Sequence, residues 1–219
     1  MRVRRWKALC LVVALSSLAA VAGPAGPATA AARSADDMGQ DVSTAVYVVD
    51  GYWRTHWSRF FTGKYDPPAV YGGYRRGVTK PPLCGGRRLG YDNAWYCIED
   101  DYIAWDLDLM AEGYRIGDAW VYLVVAHEWG HAVQARLRDS LVMSTYELQA
   151  DCLAGAVLYG AAADGVLRFE RGDLEEIAEI HRRLGDETSW TDVTDHGTAA
   201  QRTSSFNRGA KYGVRGCLP

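Results

Sequence analysis

His127, Glu128 and His131 stand at the spacing H-E-x-x-H, in the stretch Ala126-His127-Glu128-Trp129-Gly130-His131. On an α-helix, residues i and i+4 lie about 40° apart on one face, one turn along. Both histidines can then direct a ring nitrogen at a single zinc ion. Glu128, about 100° round from His127, can reach a water on that ion. Two imidazoles to hold the metal and a carboxylate to take a proton from its water are the parts needed to hydrolyse a peptide bond.

A catalytic zinc commonly has three protein ligands and an open position for water. The metzincin continuation would need Gly at 134 and His at 137, where this chain has Gln134 and Leu137, so that class is excluded. Glu147 is the better third ligand: it follows His131 by 16 residues, enough for a turn and an antiparallel return helix. Asp151 lies one helical turn further on, placed to accept a hydrogen bond from a ligand histidine and fix its orientation. Ser144-Thr145-Tyr146-Glu147 can also be read as a capping box, in which Glu147 would serve its own helix terminus. Asp151 weighs towards the metal, because an acid in an Ala/Leu/Gly-rich buried helix is costly unless partnered. A donor for the anionic tetrahedral intermediate is also needed. His196 is the candidate, equally readable as a structural histidine, with Tyr96 and Arg202 behind it as substrate contacts. His56 reads as a packing or surface residue and His181 as solvated surface on a charged helix.

The elements that must carry these residues are legible in the periodicity. Apolar residues from Ala45 to Phe61 recur every three or four positions, predicting an amphipathic helix from about Asp41. Residues 62–95 are rich in Gly and Pro and read as turns, with a short strand at Ala69-Val70-Tyr71. Strand formers flank Glu99-Asp100-Asp101 between Trp95 and Trp105, as in a core hairpin or a sheet edge that binds extended substrate by strand addition. A helix apolar on most sides is expected from Asp118, its cap, to Arg138. Gly130 inside it suggests that another backbone comes close. Further helices are expected at about 144–162, 172–184 and 201–208. The fold class is α+β, predominantly helical, with a zincin-like catalytic helix pair and a small upstream hairpin or sheet.

With 219 residues the chain is long enough for one well-cored domain, expected at 41–219 after a flexible 31–40. Arg2, Arg4, Arg5 and Lys7, an apolar run from Ala8 to Gly23 and Ala28-Thr29-Ala30 read as a cleaved export signal over 1–30, the alternative being an uncleaved membrane anchor. Cleavage removes four positive charges and takes the formal net charge from −3 to −7. That balance argues against nucleic acid as a partner, and no stable membrane partner is expected once the leader is gone. Cleavage also leaves four cysteines, Cys84, Cys97, Cys152 and Cys217. Two disulfides suit an exported chain, and of three connectivities the spacing favours Cys84–Cys97 and Cys152–Cys217. The absence of C-x-x-C argues against a thiolate zinc site.

His127-Glu128-Trp129-Gly130-His131-Ala132-Val133-Gln134, with Glu147-Leu148-Gln149-Ala150-Asp151-Cys152-Leu153-Ala154-Gly155, resembles the bacterial putative neutral zinc metallopeptidase family. Asn93-Ala94-Trp95-Tyr96-Cys97, followed by Ile103 and Asp106, resembles its upstream segment, with Trp95 where phenylalanine is more usual. His196-Gly197-Thr198 with Gln201, Arg202, Phe206 and Gly209 resembles its C-terminal segment. The resemblance spans about Asp41 to Cys217 and implies a gluzincin-like site with zinc on His127, His131 and Glu147. The expected activity is that of a secreted zinc endopeptidase acting on peptide or protein substrates, with Glu128 as general base. The rival expectation is a zinc-stabilised extracellular binding protein without turnover.

Overall fold

The computed structural model describes residues 35–186 and 196–219, which fall in one compact unit. The export signal expected at 1–30 lies outside the described residues. Helix α1 (Ala35–Phe60) begins ahead of Asp41, so residues 35–40 are helical rather than a flexible lead-in. Met38 is the reason: it is buried and continues, at helical spacing, the apolar stripe of Ala45, Val49, Tyr52, Trp53 and Trp57. His56 lies in the same helix, buried, with Nε2 2.6 Å from Asp164 Oδ2, and takes the packing role.

The small sheet is ordered β1 (Ala69–Tyr74), β5 (Tyr102–Asp106), β4 (Ala94–Cys97). β1 runs parallel to β5 and β4 antiparallel to it. β5 is buried along its whole length, and β4 forms one edge. Two short strands, β2 (Leu83–Cys84) and β3 (Arg87–Arg88), form a separate hairpin. Its turn residues Gly85 and Gly86 have φ of 53° and 80°, the left-handed pair that a two-residue hairpin turn requires. The Cys84–Cys97 disulfide fastens this hairpin to β4. At the end of β5, buried Asp106 caps α2 (Leu107–Tyr114) by accepting from Asp108 N–H, and accepts from Asp92 N–H with its other oxygen.

Helix α3 (Ala119–Gln134) runs through the middle of the molecule and is buried on nearly all faces, as its apolar sequence requires. Asp118 does not cap it through its side chain; the Glu176 carboxylate, from a later helix, accepts the Ala119 N–H instead at 3.3 Å. Helix α4 (Tyr146–Ala163) packs against α3 at Gly130, where a Cβ would lie 2.9 Å from Ala150 O. The close approach expected there is present. Helix α5 (Asp173–Leu184) buries Ile177, Ile180 and His181 on one face. His181 is thus fully buried rather than solvated: it shares the apolar stripe of its helix and packs on Thr203 and Phe206.

Helix α6 (Ala199–Tyr212) is longer than the 201–208 expected, because Thr198 and Gln201 form a capping box at its start. It lies hard against α4, where a Cβ at Gly209 would meet Cys152 O. The Cys152–Cys217 disulfide joins α4 to the chain beyond α6. The two disulfides are the pairs favoured by the sequence spacing, and the architecture is the predominantly helical α+β class. Among the described residues no helix is long and apolar enough to cross a membrane.

Candidate active site

α3 and α4 together present His127, His131 and Glu147, whose ligand atoms converge. His127 Nε2 lies 3.0 Å from Glu147 Oε2 and 3.1 Å from His131 Nε2, and His131 Nε2 lies 3.4 Å from the same glutamate oxygen. A tetrahedral ion with bonds of about 2.0 Å holds its ligand atoms roughly 3.3 Å apart, so the three atoms fit one face of such a shell. Glu147 makes no capping bond: Thr145 is the N-cap of α4, without a side-chain cap hydrogen bond, and the carboxylate turns to the histidines.

The tautomers are set by a chain of hydrogen bonds that starts at the backbone. Gln149, fully buried, accepts from Met143 N–H and donates to the carbonyls of Leu141 and Cys217, which fixes which end of its amide is oxygen. That oxygen accepts from Gln134 Nε2, which also donates to Tyr146 O. Gln134 therefore turns its carbonyl to His131 Nδ1 at 2.8 Å, and Nδ1 carries the proton. His127 Nδ1 faces Asp151 Oδ1 at 2.8 Å and is the donor there. Both neutral rings are left with lone pairs on Nε2, aimed at one another and at a carboxylate oxygen. Three such lone pairs repel unless a cation stands among them, either a metal ion or, without one, the second proton that His127 takes up between its two carboxylates. Two nitrogens and one oxygen form a donor set that suits zinc.

Asp151 is fully buried and shared. Besides His127 it accepts from Arg202 Nε at 2.8 Å and from Arg202 Nη2 at 2.9 Å. Burial alone would raise its pKa, but Arg202 and His127 hold it far below the usual carboxylate range. Arg202 donates from its third nitrogen to Leu184 O at 3.0 Å; it also lines the cleft, where it was expected to contact substrate. Burial lowers the His127 pKa, but Asp151 and Glu147 outweigh it and push the value up to about 10 in the metal-free cluster. Glu147 is likewise held well below its ordinary range, burial being overcome by the two imidazoles.

Glu128 is buried beside the cluster and lines both lobes of a cleft. Burial raises its pKa, while His127, His131 and the Tyr96 backbone N–H favour the charged form. One lobe, towards Ala94, is walled by Leu109, Leu123, Val124 and Leu184. The other holds Tyr96, Tyr146 and the three converging groups. β4 lies along both, from Ala94 to Tyr96. His196 also lines both lobes; its backbone N–H donates to Asp186, and its half-exposed ring stands 3.8 Å from that carboxylate. Tyr96 reaches the cleft but donates its hydroxyl proton to Asp101 at 2.8 Å, in a cluster closed by Arg136. Burial, with Asp101, pushes its pKa up to about 12.

Sequence reasoning missed Gln134 and Gln149 as orienting groups, although both are polar residues on otherwise apolar helix faces. It also missed Tyr146, whose ring stacks on His131 with centroids 4.7 Å apart and planes 16° apart.

Residues 138–217 match the family model described as "Putative neutral zinc metallopeptidase", over the part of the chain that contains Glu147, Asp151 and Arg202. The resemblance read from the sequence is borne out there. The chain is also 27% identical, over 206 residues, to a protein of Escherichia coli strain K12 named "Uncharacterized protein YpfJ", covering 81% of this chain and 69% of that one. The protein of that name from Escherichia coli O6:H1 matches to the same extent. No solved structure matches the chain.

Proposed function

We propose that this protein is an exported zinc peptidase that hydrolyses peptide bonds, with zinc held by His127, His131 and Glu147. The observation that carries this reading is the meeting of three fixed lone-pair donors beside a buried carboxylate, Glu128. Zinc, when bound, supplies a Lewis acid and lowers the pKa of a water towards 7. Asp151 and Gln134 orient the imidazoles through their Nδ1 protons. Glu128 takes the proton of the attacking water as its oxygen bonds to the scissile carbon, and the carbonyl π pair moves onto the carbonyl oxygen. It then gives that proton to the nitrogen as the C–N bond breaks. A carboxylate whose pKa burial has raised is suited to both halves of that shuttle.

An extended peptide would lie along β4, using the backbone groups of a strand that, among the described residues, pairs with β5 alone. His196, open to both lobes, would contact it at their junction. The two disulfides, and the leader read in the sequence, support export.

The test is zinc content together with turnover. Purified protein should carry about one zinc per chain, cleave denatured protein or mixed peptides, lose that activity to a chelator and regain it with zinc. Glu128→Gln should keep the metal and lose activity by a factor of about 100 or more. Protein that folds without stoichiometric zinc would refute the ligand set. Full zinc occupancy without turnover would favour a non-catalytic binding protein.

A further inference from the structure

We propose that Tyr146 is the hydrogen-bond donor for the oxyanion that forms on the scissile carbonyl. The assignment rests on the peptidase reading and adds a catalytic residue to it.

An oxyanion needs a donor that is held in place, partly dry, and not already giving its proton elsewhere. The donors beside the cleft differ in those respects. Arg202 is buried, held by three hydrogen bonds to Asp151 and Leu184 O, and lines the other lobe rather than the one with the three converging groups. Tyr96 gives its proton to Asp101, an anion that no neutral carbonyl can displace. The histidine Nδ1 protons go to Asp151 and Gln134. His196 is half exposed, so water competes for its ring nitrogens. Tyr146 remains. Its hydroxyl has no hydrogen-bond partner among the described residues, and it lines the same lobe as Glu128 and the converging ligand atoms.

Tyr146 is also rigid. Its backbone begins α4, one residue before Glu147, and its ring lies flat on the His131 imidazole. Its carbonyl accepts from Gln134 Nε2, the same amide that orients His131. One short segment thus fixes a metal ligand and a phenol together. The phenol donates a hydrogen bond and keeps its proton throughout, so the proton balance of the reaction is unchanged.

The experiment compares zinc-loaded wild type with Tyr146→Phe, which preserves the stack on His131 and removes only the hydroxyl. With a fluorogenic peptide that the wild type cleaves, kcat should fall by about 100- to 1,000-fold while KM moves little. Zinc content should not change. Binding gives a second readout. A phosphinic peptide, which mimics the tetrahedral oxyanion, should bind Tyr146→Phe at least about tenfold more weakly, whereas a thiol peptide of the same sequence should bind both proteins alike. Unchanged kcat and unchanged phosphinate affinity in Tyr146→Phe would overturn the assignment and leave the peptidase reading standing. A wild type that neither cleaves peptides nor binds the phosphinate would overturn both.

Discussion

At the scale of single residues, the most economical device is the use of Nδ1 hydrogen bonds to settle what Nε2 can do. Asp151 and Gln134 each claim one imidazole proton, and the lone pairs that remain point at Glu147. Glu147→Ala should therefore cut zinc occupancy sharply, read by metal analysis after dialysis against a weak chelator. Zinc-free stability should fall as well, because Glu147 pairs with both imidazoles there. Metal retained at wild-type occupancy would mean that Glu147 is not a ligand. His181 offers a different test. Burial holds its pKa down at about 4, helped by Arg202 and His127 and opposed by Asp151. Its folded pKa lies below the ordinary 6.5, so the unfolded chain takes the proton first. His181 therefore costs nothing above about pH 6.5, and stability drains away as pH falls from there towards 4. His181→Leu should flatten that part of the acid limb in denaturant titrations taken at a series of pH values.

At the scale of elements, the contact of α3 with α4 sets the site. A Cβ at Gly130 would press on the backbone of Ala150, from which it would stand 2.9 Å from the carbonyl oxygen and 3.0 Å from Cα. Gly130→Ala gains about 1 kcal/mol of helix propensity. Overpacking against backbone costs about 1–3 kcal/mol, which wins or cancels. The variant should be no more stable than wild type in urea, and its zinc affinity should fall, because any slide of α4 carries Glu147 away from the histidines. The helix pair was legible in the sequence for a simple reason. H-E-x-x-H, Glu147 and Asp151 obey the 3.6-residue period, which is a local property of the chain. What stayed hidden depends on how distant helices are turned. The pairing of Arg202 with Asp151 could not be read because nothing local says that α6 aims it there. His181 was read as solvated because its charged neighbours mask the stripe it shares with Ile177 and Ile180. The N-terminus of α3 was assigned to Asp118, whereas its donor is met by Glu176 from α5.

At the scale of the whole molecule, two disulfides divide the work. Cys84–Cys97 spans 13 residues and holds a hairpin to the edge strand, whereas Cys152–Cys217 spans 65 and ties the end of the chain to α4. Loop-closure entropy predicts about 3 kcal/mol for the first and about 4 kcal/mol for the second. Paired Cys→Ser variants should show that order of destabilisation in chemical denaturation. The second should also disturb metal binding, because Cys217 O is one of the groups that hold Gln149. Equal effects on zinc from both pairs would argue against that link.

The same link has a temporal side. Residues 127–151 contain every metal ligand proposed, yet two of their buried polar groups complete their hydrogen bonds far downstream: Asp151 at Arg202, and Gln149 at the carbonyl of Cys217. A ribosome or an export channel releases these residues in order. While the chain is still emerging, the proposed ligands are present, but the charge on Asp151 lacks its guanidinium and Gln149 lacks one of the carbonyls that hold it. The proposed zinc site should therefore be fully ordered only once Arg202 and Cys217 are in place, and a chain cut before α6 should bind zinc more weakly than the full one.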